Sequence, residues 1–121
     1  MQKFSDNQVA LISGGTSGIG FATAELLLKQ GWCVVINGRN EWDGQEAVVK
    51  LRRISSKVRF VQGDVSKVMN CRRIVEDTIR LFGNLNALVT AAGYYEERLL
   101  EDVDEQNFDE MFGTNVKGTV F

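Results

Sequence analysis

Residues 13–20 read Ser13-Gly14-Gly15-Thr16-Ser17-Gly18-Ile19-Gly20, four glycines in eight positions directly after the apolar run Val9-Ala10-Leu11-Ile12. An apolar strand that empties through such a loop into a helix presents unpaired N–H groups and the positive end of the helix dipole to one point in space, which makes an anion site. Glycine lets the main chain come close to that anion. Gly14 is placed for the tight turn and Gly18 for contact with a phosphate at the opening of the helix, while Gly20 lets that helix pack against the strands. Thr16 and Ser17 add hydroxyl donors. The spacing Gly-x-x-x-Gly-x-Gly differs both from G-x-G-x-x-G and from the G-x-x-x-x-G-K-[ST] of a P-loop.

Three further apolar runs follow, Cys33 to Ile36, Val58 to Val61 and Ala87 to Val89, each continuous rather than alternating, as expected of strands covered on both faces of a parallel sheet. Helical patterns separate them. Residues 18–30 carry Ile19, Ala22 and Leu26 on one stripe and end at Gly31. Residues 41–54 carry Ala47, Leu51 and Ile54, with Gly44 weakening the first turn, and residues 67–82 carry Val68, Cys71, Val75, Thr78 and Phe82 between a Ser66 N-cap and a Gly83 stop. A last helix is expected to start near Asp104. The alternation predicts an α/β fold, a Rossmann-like doubly wound parallel sheet with strand order 3-2-1-4, truncated after about four strands. Residues 1–121 then form the amino-terminal part of a single dinucleotide-binding domain.

The composition narrows the function. Fourteen Lys and Arg against sixteen Asp and Glu leave a formal charge of −2, which offers no footprint for nucleic acid. No apolar run approaches the ~18 residues of a membrane span, and Met1 to Asp6 lacks the apolar stretch of a signal peptide, so a cytoplasmic location is expected. Cys33 and Cys71 are isolated and read as packing residues of a reducing compartment. The chain has no His, so chemistry here proceeds without imidazole and no metal site is expected.

The motif Ser13 to Gly20 resembles the T-G-x-x-x-G-I-G of the short-chain dehydrogenase/reductase family, in its short, non-extended branch, with Ser in place of Thr at the first position. The extended branch would place its middle glycine where this chain has Ser17. Asp64-Val65 after the third strand is similar to the family pair that contacts adenine, and Thr90-Ala91-Ala92-Gly93 resembles N-N-A-G after the fourth; the resemblance runs from residue 8 to 121. It implies a dinucleotide cofactor held by Gly14, Thr16, Ser17, Gly18, Ile19, Gly20, Arg39, Asp64, Val65, Ala91, Ala92 and Gly93.

A dinucleotide lacking a 2′-phosphate is usually recognised by an acidic side chain at the end of the second strand. Here Asn37-Gly38-Arg39-Asn40 stands in that place. Gly38 leaves the acidic position empty, and the Arg39 guanidinium suits an added phosphate, so NADP(H) is expected over NAD(H).

The resemblance further implies hydride transfer between nicotinamide and a small carbonyl or alcohol substrate, with a Tyr as acid or base, a Lys lowering its pKa, a Ser on the substrate oxygen and an Asn in a proton relay. Asn115, within Gly113-Thr114-Asn115-Val116-Lys117-Gly118-Thr119, matches that Asn. The Ser and the Y-x-x-x-K belong to a following strand and helix that these residues do not include. Tyr94-Tyr95-Glu96-Glu97-Arg98 is rejected as a substitute, because Arg holds its proton and the stretch falls in the loop after the fourth strand. Thr90 replaces only part of the hydrogen bonding of the family Asn.

A fourth strand without an outer neighbour exposes an apolar edge from Ala87 to Ala91, so the chain is expected to form homo-oligomers or associate through that edge. Two other functions stay open at this point: a non-catalytic nucleotide-binding or regulatory module, and a protein-binding scaffold.

Overall fold

Val9–Ser13 forms β1, Cys33–Gly38 β2, Val58–Gln62 β3 and Ala87–Thr90 β4, and all pair in parallel in the order β3-β2-β1-β4. The computed structural model describes residues 8–93 and 99–121, so the readings of Met1–Asp6 and of Tyr94–Arg98 fall outside the described residues. Helices α1 (Gly18–Lys29), α2 (Glu41–Leu51) and α3 (Val68–Phe82) make the crossovers. Beyond β4, α4 (Glu105–Phe112) begins at a reciprocal cap in which the Asp104 carboxylate accepts from the Asn107 N–H and the Asn107 side chain accepts from the Asp104 N–H. It runs on through a π-helical turn, Gly113–Lys117, into the short helix Gly118–Val120. No helix among the described residues is long and apolar enough to cross a membrane.

Strand alternation divides the core between the two faces of the sheet. Ile12, Val34, Ile36 and Val58 pack on one face with Ala24 and Leu28 of α1 and Ala47, Val48 and Leu51 of α2. Leu11, Val35 and Val61 pack on the other with Cys71 and Ile74 of α3. Each fully buried aliphatic side chain stabilises by about 1.5–3 kcal/mol, so these two layers hold the strand ends in fixed register. β1 is buried along its whole length and β2 up to Asn37, whereas β3 and β4 are half-exposed edge strands, unlike the continuous burial their apolar runs predict.

Four local expectations are corrected. The Ile19, Ala22 and Leu26 stripe of α1 faces outward, and Gly20, Ala24 and Leu28 face the sheet. This helix is apolar nearly all round, and the contact at Gly20 described below sets its phase. Gly44 is not simply a weak point of α2: it is buried, and a Cβ there would fall on the Phe60 ring. α2 ends at Leu51, and Ile54 reaches the core from the turn that follows. Lys67, not Ser66, is the N-cap of α3, because the Ser66 hydroxyl and N–H both donate to the Asp64 carboxylate, at 2.7 and 2.9 Å.

Candidate functional site

The carboxyl ends of the four strands open onto one cleft of about 480 Å³. Gly14 and Thr16 to Ile19 line it from the first loop, Arg39 from the exit of β2, Asp64 and Val65 from the exit of β3, and Ala91 to Gly93 from the exit of β4. Gly20 is not among its lining residues, and neither is Asn115. A more open hollow of about 920 Å³ lies between Ser66-Lys67 and α4, and the glycine loop after β1 does not line it. In open parallel α/β sheets the crevice outside the strand carboxyl ends is where ligands bind, so the smaller cleft is the candidate site.

Steric exclusion shapes the first loop. Gly14 has φ +68°, and a Cβ there would come within 2.6 Å of the main chain of Ala92, so the loop lies directly against the exit of β4. A Cβ on Gly20 would clash with the Gly14 carbonyl oxygen. The first turn of α1 therefore packs onto the loop that precedes it, a closer approach than the helix-to-strand packing expected for this glycine. Gly18, at φ +57°, differs from both: nothing lies within 4 Å of where its Cβ would be. Ser17, the N-cap of α1, makes no side-chain capping bond, and the first turn carries no acidic residue. The result is a helix start of main-chain donors with a positive dipole end, no carboxylate of its own and clear space in front of it, a cradle that fits an anion.

Opposite this corner stand Arg39 and Asp64. Burial pushes the Asp64 carboxyl up, but the two bonds from Ser66 and the positive charges of Arg39 and Lys67 outweigh it and hold its pKa below the ordinary 3.8. Asp64 is thus an ionised acceptor at neutral pH. Arg39 is exposed, and its carbonyl accepts from the Gln62 side chain at 3.0 Å, which ties the exits of β2 and β3 together. Cys71, on α3 beneath this corner, donates its thiol to the Val65 carbonyl at 3.1 Å. Burial, and secondarily the Asp64 carboxylate, push that thiol up, in line with a packing role.

On the β4 side, the Ala91 N–H donates to the Ser13 carbonyl at 3.0 Å and the Ala92 N–H to the Ser13 hydroxyl at 3.5 Å. Ser13 thus binds the β4 exit to β1, while Thr90 is exposed. Asn115 lies in the π-helical turn, with its side-chain oxygen 3.6 Å from where a Gly93 Cβ would be, so it borders the β4 end of the cleft without lining it. π-Helical turns interrupt the regular helical bonding and recur at functional sites.

Six lining residues were not among the residues expected to hold a ligand: Asn37, Gly38, Asn40, Asp43, Gly63 and Thr114. Asn40 and Asp43 carry a signal in Asn-x-x-Asp at a helix start, where the Asn40 side chain accepts from the Asp43 N–H at 3.0 Å. Asn37 and Thr114 are buried polar side chains. Nothing in their immediate sequence marks them.

Residues 8–121 match the family model described as short chain dehydrogenase. An uncharacterised oxidoreductase of Methylorubrum extorquens is 36% identical over 116 residues, covering 95% of this chain and 47% of the relative. The crystal structure of actinorhodin polyketide ketoreductase with NADPH superposes with a TM-score of 0.91 at 26% identity, covering 98% of this chain and 46% of that one. An NADH-dependent reductase complexed with NAD gives a TM-score of 0.84 at 29% identity, covering 95% and 48%. The chain spans less than half the length of these relatives.

Proposed function

The chain belongs to the short-chain dehydrogenase family, and from that premise we propose that residues 8–121 are the dinucleotide-binding portion of a single oxidoreductase domain. The observation that carries the reading is the convergence of an uncapped helix start, an unobstructed glycine, Arg39 and an ionised Asp64 on one cleft at the strand ends. The corner fits a pyrophosphate, which needs donors, room and no competing carboxylate. In this reading the main-chain amides of Thr16 to Ile19 and the hydroxyls of Thr16 and Ser17 hold the pyrophosphate. Asp64 and Val65 bound the adenine, and Ala91 to Gly93 flank the route toward the nicotinamide.

When bound, the cofactor gives or takes a hydride at its nicotinamide ring, with a small carbonyl or alcohol compound as the partner. Asn115 belongs to the proton path beside that end of the cleft. Arg39 selects NADP(H) over NAD(H): a guanidinium next to the empty acidic position at Gly38 pairs with a 2′-phosphate, and hydrogen bonds to charged groups contribute about 1.5–3 kcal/mol.

One further feature goes with the reading. Leu88 on the outer strand β4 is 56% exposed, and association of copies through this edge covers it.

Calorimetric titration with NADPH and with NADH tests the function. Saturable binding with NADPH the tighter ligand is expected, and a chain that binds neither is a scaffold and not a cofactor protein. Sedimentation tests the association, which a stable monomer would disprove.

A further inference from the structure

Asn37 is polar, yet only 1% of its surface is exposed, and it sits at the last fully buried position of β2. Its side-chain nitrogen Nδ2 donates to two carbonyls of the neighbouring segment, Val61 at 3.0 Å and Gly63 at 3.2 Å. The second of these lies beyond the end of β3, in the segment that turns into Asp64. The main-chain carbonyl of the same residue accepts from the Gly15 N–H at 3.0 Å. One residue is therefore bonded on one side to the glycine corner and on the other to the turn that presents Asp64. The Gly63 N–H donates back to the Gly38 carbonyl at 3.0 Å, one residue before Arg39.

The chemistry of the side chain suits the place. A carboxamide nitrogen carries two N–H donors, enough for two carbonyls at once, whereas Ser or Thr supplies one donor, an ionised Asp none and Leu none. Buried carbonyls left without a donor are costly, so this amide adds to the Gly63–Gly38 and Gln62–Arg39 bonds in holding the exits of β2 and β3 in register. β3 is an edge strand with an exposed Gln62, so between the buried Val61 and Val65 the segment is held from the β2 side by hydrogen bonds as well as by packing.

We propose that Asn37 is a positioning residue of the cleft: acting through Gly15 and Gly63, it sets the distance between the corner that meets the pyrophosphate and the turn that meets the adenine. The role rests on the reading of the cleft as a dinucleotide site. Its test combines hydrogen–deuterium exchange of the cofactor-free chain with NADPH titration, on wild type, Asn37→Leu and Asn37→Thr.

The expected result is faster exchange in Asn37→Leu at the glycine corner and at residues 63–65 together, unchanged protection of the β1–β2 centre, and NADPH affinity lower by about tenfold. Asn37→Thr, with one donor kept, falls between it and wild type in both readouts, and it carries the test alone if Asn37→Leu does not fold. Faster exchange confined to residues 63–65, with the glycine corner and the affinity unchanged, would overturn the positioning role and leave a merely structural amide. Wild type binding neither NADPH nor NADH would instead overturn the reading of the cleft, which the titration of the unmodified chain reveals by itself.

Discussion

Replacing Gly20 with Ala sets two opposite effects against each other. Ala is the better helix former by about 1 kcal/mol, and Gly20 lies in the first turn of α1, so propensity alone predicts a gain. The added Cβ, however, clashes with the carbonyl oxygen of Gly14 and lies within 3.0 Å of the Gly15 Cα. Both neighbours are main chain, so no rotamer change relieves the clash and the helix start must move off the loop. Overpacking of this kind costs about 1–3 kcal/mol, and an obstacle made of main chain puts it at the top of that range. The net prediction is a loss of about 2 kcal/mol, or roughly 8 °C in melting temperature at about 4 °C per kcal/mol for a domain of this size. The shift also displaces the α1 amides from the cleft, so NADPH affinity falls at least about tenfold.

Gly18→Ala is the control. Its Cβ meets open space, and only the left-handed backbone opposes it, at about 1–2 kcal/mol. Thermal unfolding followed by circular dichroism, with calorimetric titration of the same samples, measures both effects. A Gly20→Ala chain as stable as wild type, or one that binds NADPH equally well, would refute the claim that α1 is seated on the Gly14 carbonyl.

Gly18→Asp places a carboxylate in the unobstructed space before the helix start and should abolish dinucleotide binding in a titration while the circular dichroism spectrum stays that of wild type. Arg39→Asp should invert the cofactor preference, weakening NADPH by about tenfold or more and strengthening NADH; equal affinities of wild type and variant for both would discard the role of Arg39. Because folding lowers the Asp64 pKa below its ordinary 3.8, its contribution to stability is present above that value and lost as the pH falls through the folded pKa. Melting temperatures of wild type and Asp64→Asn should therefore differ near neutrality and converge in acid, and a difference that persists or grows in acid would contradict the assignment. Gly44→Ala drives a methyl into the Phe60 ring and should destabilise by about 1–3 kcal/mol in urea unfolding without changing NADPH affinity per folded molecule.

The strand order and the position of the cleft were legible because continuous apolar runs, glycine-rich exits and helix stops are local signals. Gly14 and Gly18 carried such signals, and both take the positive φ that their places in the loop require. The phase of α1 was not legible: Ile19, Ala22 and Leu26 form as good a stripe as Gly20, Ala24 and Leu28, and the choice between them is made by contact with a loop on the other side of the turn. Ser66 reads as a cap by type and position, but Asp64, two residues earlier, takes its hydroxyl. Asn37 was invisible because its two partners lie 24 and 26 residues away, brought near only when β2 and β3 pair. Buried polar groups whose partners are remote in sequence are decided by topology, and residue type alone cannot announce them.

A crystal structure of the chain grown with NADPH tests most directly whether the cleft at the strand ends holds the dinucleotide. The pyrophosphate should lie within hydrogen-bond distance of the main-chain amides of residues 16–19, with the 2′-phosphate at Arg39 and the adenine beside Asp64 and Val65. NADPH bound elsewhere on the chain, with side chains filling the space before Gly18, would contradict that placement.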